Sequence, residues 1–308
     1  MDYLPFNFVI ILLSVIGLLM NIFLVFCMFF PQQRTRRLKQ PLNVLLGTLV
    51  GCSITLQLCN LTCAIMSFSS GFMSYFIIIQ LAYFTMRSSV TSSFWLNVFY
   101  YCQIVPANHS VFICLKRNNR FFIYSALIAD KIFFLIGFSA GITCSAVHAE
   151  LFCENDHNTT YTQFNETQNA KMDTLQVVFA IDSWIRCGYL LLCLFVMLTS
   201  NCVTILYLQK HMKSMEGSNF SSARVKRQMR VKITGIIQTL LSFFCLVWMI
   251  VDDLLPQYIN LYAYIYGTVG CFYSLGTTIN LCVGQTIFRS CVVKVYQQCL
   301  QSLTFLSN

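Results

Sequence analysis

Seven long apolar stretches alternate along this chain with shorter polar segments. A membrane-spanning helix needs about 20 apolar residues to cross the roughly 30 Å of hydrocarbon in a bilayer, and each stretch is longer than that. The pattern therefore predicts an all-α fold, a bundle of seven transmembrane helices. The approximate bounds of the spans are 6–30, 42–66, 78–113, 122–149, 175–208, 233–255 and 261–284.

Positive charge is confined to one set of connecting segments. Most of the 20 Lys and Arg residues follow the odd-numbered spans. Because positively charged loops are retained in the cytoplasm, the N-terminus is predicted to be extracellular and the C-terminus cytoplasmic. After span seven, residues 286–303 place apolar and polar side chains on different helical faces. This pattern predicts a short amphipathic helix on the inner leaflet.

Composition excludes a soluble protein. Hydrophobic residues make up 57% of the chain and charged residues only 10%, whereas a soluble domain carries about 25% charged residues. We therefore expect one domain over residues 1–308 that crosses the lipid bilayer of the plasma membrane several times. The net charge of +9 follows from the topology and suits anionic lipid and an acidic protein partner, so no nucleic-acid partner is expected.

One outer segment carries signals for N-glycosylation. Residues 150–174 contain the acceptor pattern at Asn158 and Asn165, and both are predicted to be glycosylated. The same pattern also occurs inside spans two and three and in the cytoplasm, where it is predicted to stay unmodified: at Asn60, Asn108 and Asn219.

Span four begins ambiguously. The adjacent charges of Asp130 and Lys131 would lie in hydrocarbon if the span began at residue 122. Two such charges are costly unless they are paired or reach the interface. Residues 122–131 are therefore predicted to lie partly along the inner interface, with the true span near 132–149.

Candidate chemistry is sparse. The segment Gly137-Phe138-Ser139-Ala140-Gly141 matches the pattern of a serine nucleophile, but no histidine lies on another span at the depth of Ser139. The two glycines also have the spacing that lets helices pack closely. We therefore expect helix packing and no enzymatic activity. No group of His, Cys or acidic residues has metal-ligand spacing, so neither a metal nor a cofactor is expected.

Two other classes of membrane protein fit poorly. A retinal-type light sensor needs a lysine on span seven, and residues 261–288 contain none. A channel or transporter normally has acidic residues within several spans, whereas the candidates here lie near span ends: Asp130, Asp182, Asp252 and Asp253. What remains is a G-protein-coupled receptor for a small ligand, which must enter the helix bundle because the N-terminal segment is too short to form a binding domain.

Span three resembles that of a known family. Residues 96–117 read LNVFYYCQIVPANHSVFICLKR, which is similar to the third helix of the bitter taste receptors (type 2 taste receptors). The matching positions run without a gap through Leu96, Val98, Phe99, Tyr100, Ile104, Phe112, Leu115, Lys116 and Arg117. The departures are Gln103, Val105, Pro106, Ala107 and Asn108.

Weaker similarity covers most of the chain. Residues 205–215 resemble the end of the family's fifth helix, with His211 at the family spacing. Helix one and the end of helix seven share further positions: Gly17, Asn21, Phe23, Asn280, Gln285 and Thr286. Three lysines of the family are replaced near the end of helix seven, by Leu281, Cys282 and Gly284. The chain thus resembles a divergent member of the bitter taste receptors.

The resemblance implies a function and a site. It implies that a small bitter-type agonist binds in an outward-facing cavity between helices three, five, six and seven, and that the agonist opens the cytoplasmic face to a heterotrimeric G protein. Counting along the family motifs places pocket positions at Thr91, Trp95 and Tyr262, and a looser alignment of helix six adds Trp248. Ser92 adds a hydroxyl beside Thr91, and Tyr266 lies one turn deeper on the face of Tyr262. The expected contacts with the G protein are Lys116, Arg117 and His211.

Alternatives remain open for residues and for function. Each aromatic pocket residue could instead pack between helices. Arg186 is costly in lipid, so it is predicted to face the bundle or the outer water and either to pair with Asp182 or to attract an anionic ligand. A pheromone-type vomeronasal receptor is the second functional interpretation, and a channel or transporter is the third. A screen of bitter compounds separates the first two, because a pheromone receptor would respond to conspecific or steroid-like cues.

Overall fold

A computed structural model describes residues 4–29, 41–66, 72–105, 117–155, 164–214, 221–254 and 259–307. Every regular element in these residues is a helix, which confirms the predicted all-α class. In chain order the helices are α1 (Leu4–Phe29), α2 (Leu42–Met66), α3 (Phe72–Ile104), α4 (Asn119–Asn155), α5 (Phe164–Ser214), α6 (Ser221–Leu254), α7 (Ile259–Gly284) and α8 (Thr286–Ser307).

The first seven helices pack as a closed ring. Helices that follow one another in the chain are in contact, and α1 closes the ring by packing against α7. The helix α3 lies inside, where it contacts α2, α4, α5 and α6. We call the end of the bundle that contains Tyr100, Thr234 and Gln285 the inner end, and the opposite end the outer end.

The outward surface of the bundle is apolar. Within the described residues, five helices contain segments long and apolar enough to cross a membrane: Asn7–Phe29, Leu42–Met66, Arg120–Thr143, Ala180–Lys210 and Lys232–Val251. The large side chains of Leu19, Phe195 and Phe244 are each more than half exposed, as expected for a surface that faces lipid. The helices α3 and α7 are more polar, because both turn hydroxyl side chains inward, such as the fully buried Thr91 and Thr278.

Several boundaries differ from the predicted ones. The helix α4 continues to Asn155 and α5 begins at Phe164, so most of the predicted outer loop 150–174 is helical. The helix α3 begins before residue 78, at Phe72, and ends at Ile104. It ends there because Pro106 follows shortly after; a proline restricts the residue before it and cannot donate a backbone hydrogen bond. The rest of predicted span three lies outside the described residues.

The amphipathic helix predicted after span seven is present as α8. It starts immediately after Gln285, the single residue that separates it from α7. Phe288 is fully buried against the bundle, whereas Val292 and Tyr296 are exposed. One face of α8 therefore packs on α1 and α7, and the other carries apolar side chains suited to a lipid surface.

The two adjacent charges of α4, Asp130 and Lys131, have polar neighbours on other helices. Residues 122–131 continue in one helix into the apolar segment Arg120–Thr143, which is long enough to cross a membrane, and their position along the inner interface stays a prediction. Asp130 is only 6% exposed. The Lys131 ammonium lies 3.5 Å from the carbonyl oxygen of Ser88 on α3 and 3.7 Å from the sulfur of Cys52 on α2. Both charges find polar partners between helices, which removes the reason to expect them at the interface.

The glycine pair of α4 serves packing, as predicted. The Arg186 guanidinium of α5 occupies the space where a Cβ at Gly137 would lie, and a Cβ at Gly141 would come within 2.6 Å of the Gln80 side-chain oxygen of α3. Ser139, between the two glycines, is exposed and donates to the carbonyl oxygen of Ile136 at 2.7 Å. The apparent nucleophile thus points away from the bundle, while the glycines accommodate side chains of two neighbouring helices.

Candidate ligand pocket and inner end

Asp130 is the centre of a polar cluster that links three helices. Its carboxylate accepts hydrogen bonds from the Trp95 indole N–H of α3 at 2.6 Å and from the Tyr189 hydroxyl of α5 at 2.5 Å. The Trp95 ring packs edge-on against Phe94 and Phe122, with centroid distances of 4.6 and 5.6 Å. Trp95, predicted to line the pocket, therefore has its indole N–H engaged inside the protein.

The two hydroxyls predicted for the pocket are buried on α3. Thr91 and Ser92 both donate to the carbonyl oxygen of Ser88, at 3.2 and 2.7 Å. Neither side chain is exposed. Each hydroxyl has thus used its single hydrogen, but its oxygen can still accept a hydrogen bond from another group.

Arg186 has an acidic partner on its own helix. It is 1% exposed and forms an ion pair with Asp182, one turn earlier on α5. The predicted pairing is therefore confirmed. Attraction of an anionic ligand by Arg186 stays a prediction.

Trp248 of α6 differs from the other predicted pocket residues. It packs against the apolar core in the middle of the bundle, and its indole nitrogen is buried without a hydrogen-bond partner in the described part of the chain. A buried donor without an acceptor costs about 1–3 kcal/mol, so it marks a place where a ligand or water oxygen would be stabilising. Tyr262 and Tyr266 lie in the first turns of α7, but their side chains are outside the described structure.

A narrow cleft lies at the inner end. Its walls come from α2, α3, α6 and α7 and from the junction between α7 and α8. The lining residues are Leu49, Leu96, Asn97, Tyr100, Thr234, Gly235, Gln238, Asn280, Leu281 and Gln285.

Hydrogen bonds between helices hold this cleft closed. The Gln285 amide donates to the Tyr100 hydroxyl of α3 at 2.8 Å. Asn280 of α7 donates to the carbonyl oxygen of Thr234 at 2.8 Å and to the side-chain oxygen of Gln238 at 3.2 Å, both on α6. Three helices are therefore tied together at the inner end by side chains from each of them.

A second polar network joins α1, α2 and α7. Asn21 donates to the Ser53 hydroxyl at 3.2 Å, and the Ser53 oxygen lies 2.6 Å from that of Ser274. The Thr278 hydroxyl donates to the Asn21 side-chain oxygen at 3.2 Å. All four residues are at most 3% exposed. Such buried polar groups are costly in a bilayer unless they are paired, and here each finds a partner on another helix.

The predicted coupling and glycosylation residues are only partly described. Arg117 is exposed just before α4 begins. His211 belongs to the last turn of α5 and Asn165 to its first turn, but their side chains are outside the described structure. Lys116 and Asn158 lie outside the described residues altogether. Their roles therefore stay predictions.

Sequence reasoning missed the residues that tie the helices together. Gln238 carried a readable signal, because an amide inside the predicted apolar span 233–255 needs a hydrogen-bond partner on another helix. Nothing in the sequence indicated that Asp130 and Trp95 are in contact. They are 35 positions apart, and their contact depends on how α3 and α4 are placed side by side.

Seven packed helices with apolar outward faces and paired polar groups inside define a membrane protein of the seven-helix receptor class. The family model described as "Taste receptor protein (TAS2R)" matches residues 3–300 of this chain. The chain belongs to this family of membrane-embedded taste receptors, which confirms the resemblance seen in span three. In a comparison with curated proteins, nothing matches the chain.

Proposed function

We propose that this chain is a G-protein-coupled receptor for small bitter-type molecules, formed by one receptor domain over residues 1–308 in the plasma membrane. The observation that carries this proposal is the family match over residues 3–300. The agonist binds between α3, α5, α6 and α7 toward the outer end. Its binding favours a state in which the inner end, facing the cytoplasm, opens to a heterotrimeric G protein.

Trp248 is the residue that we place closest to the agonist. Its buried N–H lacks an acceptor among the described residues, so an agonist oxygen there would make a hydrogen bond that the bundle itself does not supply. Tyr262 and Tyr266 of α7 are the other aromatic residues that we expect to contact the agonist, since they lie at a similar distance along the chain from the connection between α6 and α7.

The other pocket residues would contact the agonist through the groups that do not already form hydrogen bonds within the bundle. Thr91 and Ser92 would accept hydrogen bonds, because both already donate to Ser88. Trp95 would offer its ring and not its N–H, which Asp130 holds. Arg186 would draw in an anionic agonist by its charge.

Opening of the inner end requires a modest free energy. Polar contacts between membrane helices contribute about 0.6 kcal/mol each on average. Breaking the hydrogen bonds from Gln285 and Asn280 to α3 and α6 therefore costs roughly 2 kcal/mol. An agonist offsets this cost if it binds the open state about 30-fold more tightly than the closed one. Lys116, Arg117 and His211 are the side chains we expect to meet the G protein.

Substitution of Trp248 tests the pocket. A screen of bitter compounds against transfected cells, read out as G-protein activation, first identifies an agonist. Trp248→Phe keeps an aromatic ring but removes the N–H, so we expect its half-maximal agonist concentration to rise about three- to tenfold at matched surface density. The control is Trp184→Phe, because Trp184 is 59% exposed on the outward face of α5. Equal shifts in both variants, or a response to steroid-like cues alone, would count against the proposal.

Glycan mapping tests the orientation. If the N-terminus is extracellular, Asn158→Gln and Asn165→Gln should each remove one glycan, and the double variant should show no shift on glycosidase treatment. The reason is that the connection between α4 and α5 would face the lumen during synthesis. Substitution of Asn219, between α5 and α6, serves as the control and should change nothing. A shift that survives in the double variant contradicts the orientation.

A further inference from the structure

Two thiols meet where α8 packs on α1. Cys27 lies in the last turn of α1 and is only 1% exposed. Cys291 lies in the second turn of α8 and is half-buried. The two thiols form a side-chain hydrogen bond with each other, so two cysteines from opposite ends of the chain are in direct contact.

Apolar neighbours hold the two thiols together. Leu24 precedes Cys27 by three positions on α1, and Phe288 precedes Cys291 by three positions on α8, so each apolar side chain shares a helical face with its thiol. Both apolar side chains are fully buried. They belong with Cys27 to one core cluster, against which Cys291 packs. Burial of apolar surface therefore keeps these two helix faces, and the thiols on them, in contact.

A third thiol lies close to this pair. Cys282, near the end of α7, is partly exposed and packs on the same core cluster. It is close enough to Cys27 for an electrostatic interaction between the two side chains. The hydrogen bond of Cys27, however, is made with Cys291. Cys282 is therefore the competing partner for Cys27.

A buried free cysteine commonly serves as a small apolar side chain, but two thiols in contact can also be oxidised together. We propose that Cys27 and Cys291 form a redox modification site, which hydrogen peroxide or another hydroperoxide converts to a disulfide between α1 and α8 and which thiol reductants restore. Cys291 reacts with the peroxide first, because it is partly exposed and oxidation of cysteine follows exposure. Cys27 is the thiol that then closes the disulfide.

The oxidation takes place in two balanced steps. The Cys291 sulfur attacks one peroxide oxygen, so that an S–O bond forms and the O–O bond breaks; the departing hydroxide takes up the thiol proton and becomes water. The Cys27 sulfur then attacks the Cys291 sulfur, so that the S–S bond forms and the S–O bond breaks. The second hydroxide leaves as water with the Cys27 proton. The two thiols lose two electrons, and the peroxide is reduced to two molecules of water.

The disulfide is expected to stabilise the folded receptor. A cross-link between residues that are far apart in the chain restricts the unfolded state strongly. The folded receptor needs little rearrangement to form the bond, because the two thiols already touch. The oxidised receptor should therefore melt at least about 5 °C higher than the reduced one, and dithiothreitol should reverse this rise.

Peroxide treatment of the full-length receptor in nanodiscs tests the proposal. The reduced receptor is exposed to hydrogen peroxide, alkylated and digested without reductant, and mass spectrometry identifies the linked peptides. We expect a Cys27–Cys291 linkage together with the rise in melting temperature. Cys27→Ser and Cys291→Ser should each abolish both, and Cys291→Ser is the decisive variant because a partly exposed position tolerates a hydroxyl. Cys202→Ser is the control and should keep both, since Cys202 is an exposed cysteine of α5.

Several results would overturn the proposal. One is a linkage of Cys27 to Cys282 in place of Cys291. Another is oxidation of Cys291 to a sulfinic acid with no linked peptide. An acyl chain already attached to the Cys291 sulfur would do the same, because an acylated sulfur cannot form a disulfide. A rise in melting temperature that persists in Cys291→Ser would show that the stabilisation has another origin. None of these measurements uses an agonist or a G protein, so their failure leaves the proposed function standing.

Discussion

Gly137→Ala is expected to remove most folded receptor from the cell surface. The added methyl group would occupy the position of the Arg186 guanidinium, which is buried and paired with Asp182. The guanidinium must shift away from this position, and because Arg186 is only 1% exposed, that shift disturbs its ion pair with Asp182 or moves α4 and α5 apart. Disrupting a buried ion pair costs about 3–5 kcal/mol, which is a large part of the stability of most proteins. Surface labelling and thermal unfolding in detergent would measure the loss.

A second glycine provides the control. A Cβ at Gly188 of α5 would meet no atom within 4 Å, so Gly188→Ala should leave the surface density unchanged or raise it slightly. The cause can also be isolated in an Arg186→Ala background, where the guanidinium is gone and Gly137→Ala should add little further loss. Equal losses from Gly137→Ala in both backgrounds would show that the steric explanation is incorrect.

Asp130→Ala is expected to have the second largest effect, a loss of roughly 2–4 kcal/mol in the free energy of unfolding. The substitution leaves the Trp95 N–H and the Tyr189 hydroxyl without their acceptor. Hydrogen bonds to charged groups contribute about 1.5–3 kcal/mol each in soluble proteins, and less between membrane helices. The melting temperature of the purified receptor should fall by about 10 °C.

A graded series separates the hydrogen bonds from the volume of the side chain. Asp130→Asn keeps the shape and one acceptor oxygen, so its loss should lie between zero and that of Asp130→Ala. Tyr189→Phe and Trp95→Phe each remove one donor, and in an Asp130→Ala background both should lose their effect. Fully additive losses would mean that the three residues act separately and that Asp130 does not connect α3, α4 and α5.

Much of the fold could be predicted from local pattern. The number of apolar stretches and the amphipathic pattern after span seven follow from hydropathy along the chain, because lipid selects for long apolar helices. Boundaries were less accurate. The helix α5 begins at Phe164, within the predicted outer loop, because polar residues continue a helix once it leaves the hydrocarbon and hydropathy no longer marks its end.

The candidate site was only partly predictable. Thr91 and Ser92 were correctly expected inside the bundle, and Arg186 was correctly expected to avoid lipid. All three are buried, since polar groups on an otherwise apolar helix avoid lipid. The sequence indicated the partner of a buried polar residue only where that partner lies on the same helix, as Asp182 does for Arg186. The partner of Trp95 on α4 could not be read in this way.

The sequence by itself determined that this chain is a helical membrane protein of the bitter taste receptor type, and which of its residues are too polar for lipid. Those conclusions depend on composition, on the length of apolar stretches and on the motif around Phe99 and Tyr100. Only the tertiary structure decided that Asp130 joins three helices and that the Lys232 ammonium is buried with no hydrogen-bond partner among the described residues. The physical reason is that contacts between helices depend on their rotation and axial offset, and in a bundle both are set by the packing of all the helices together.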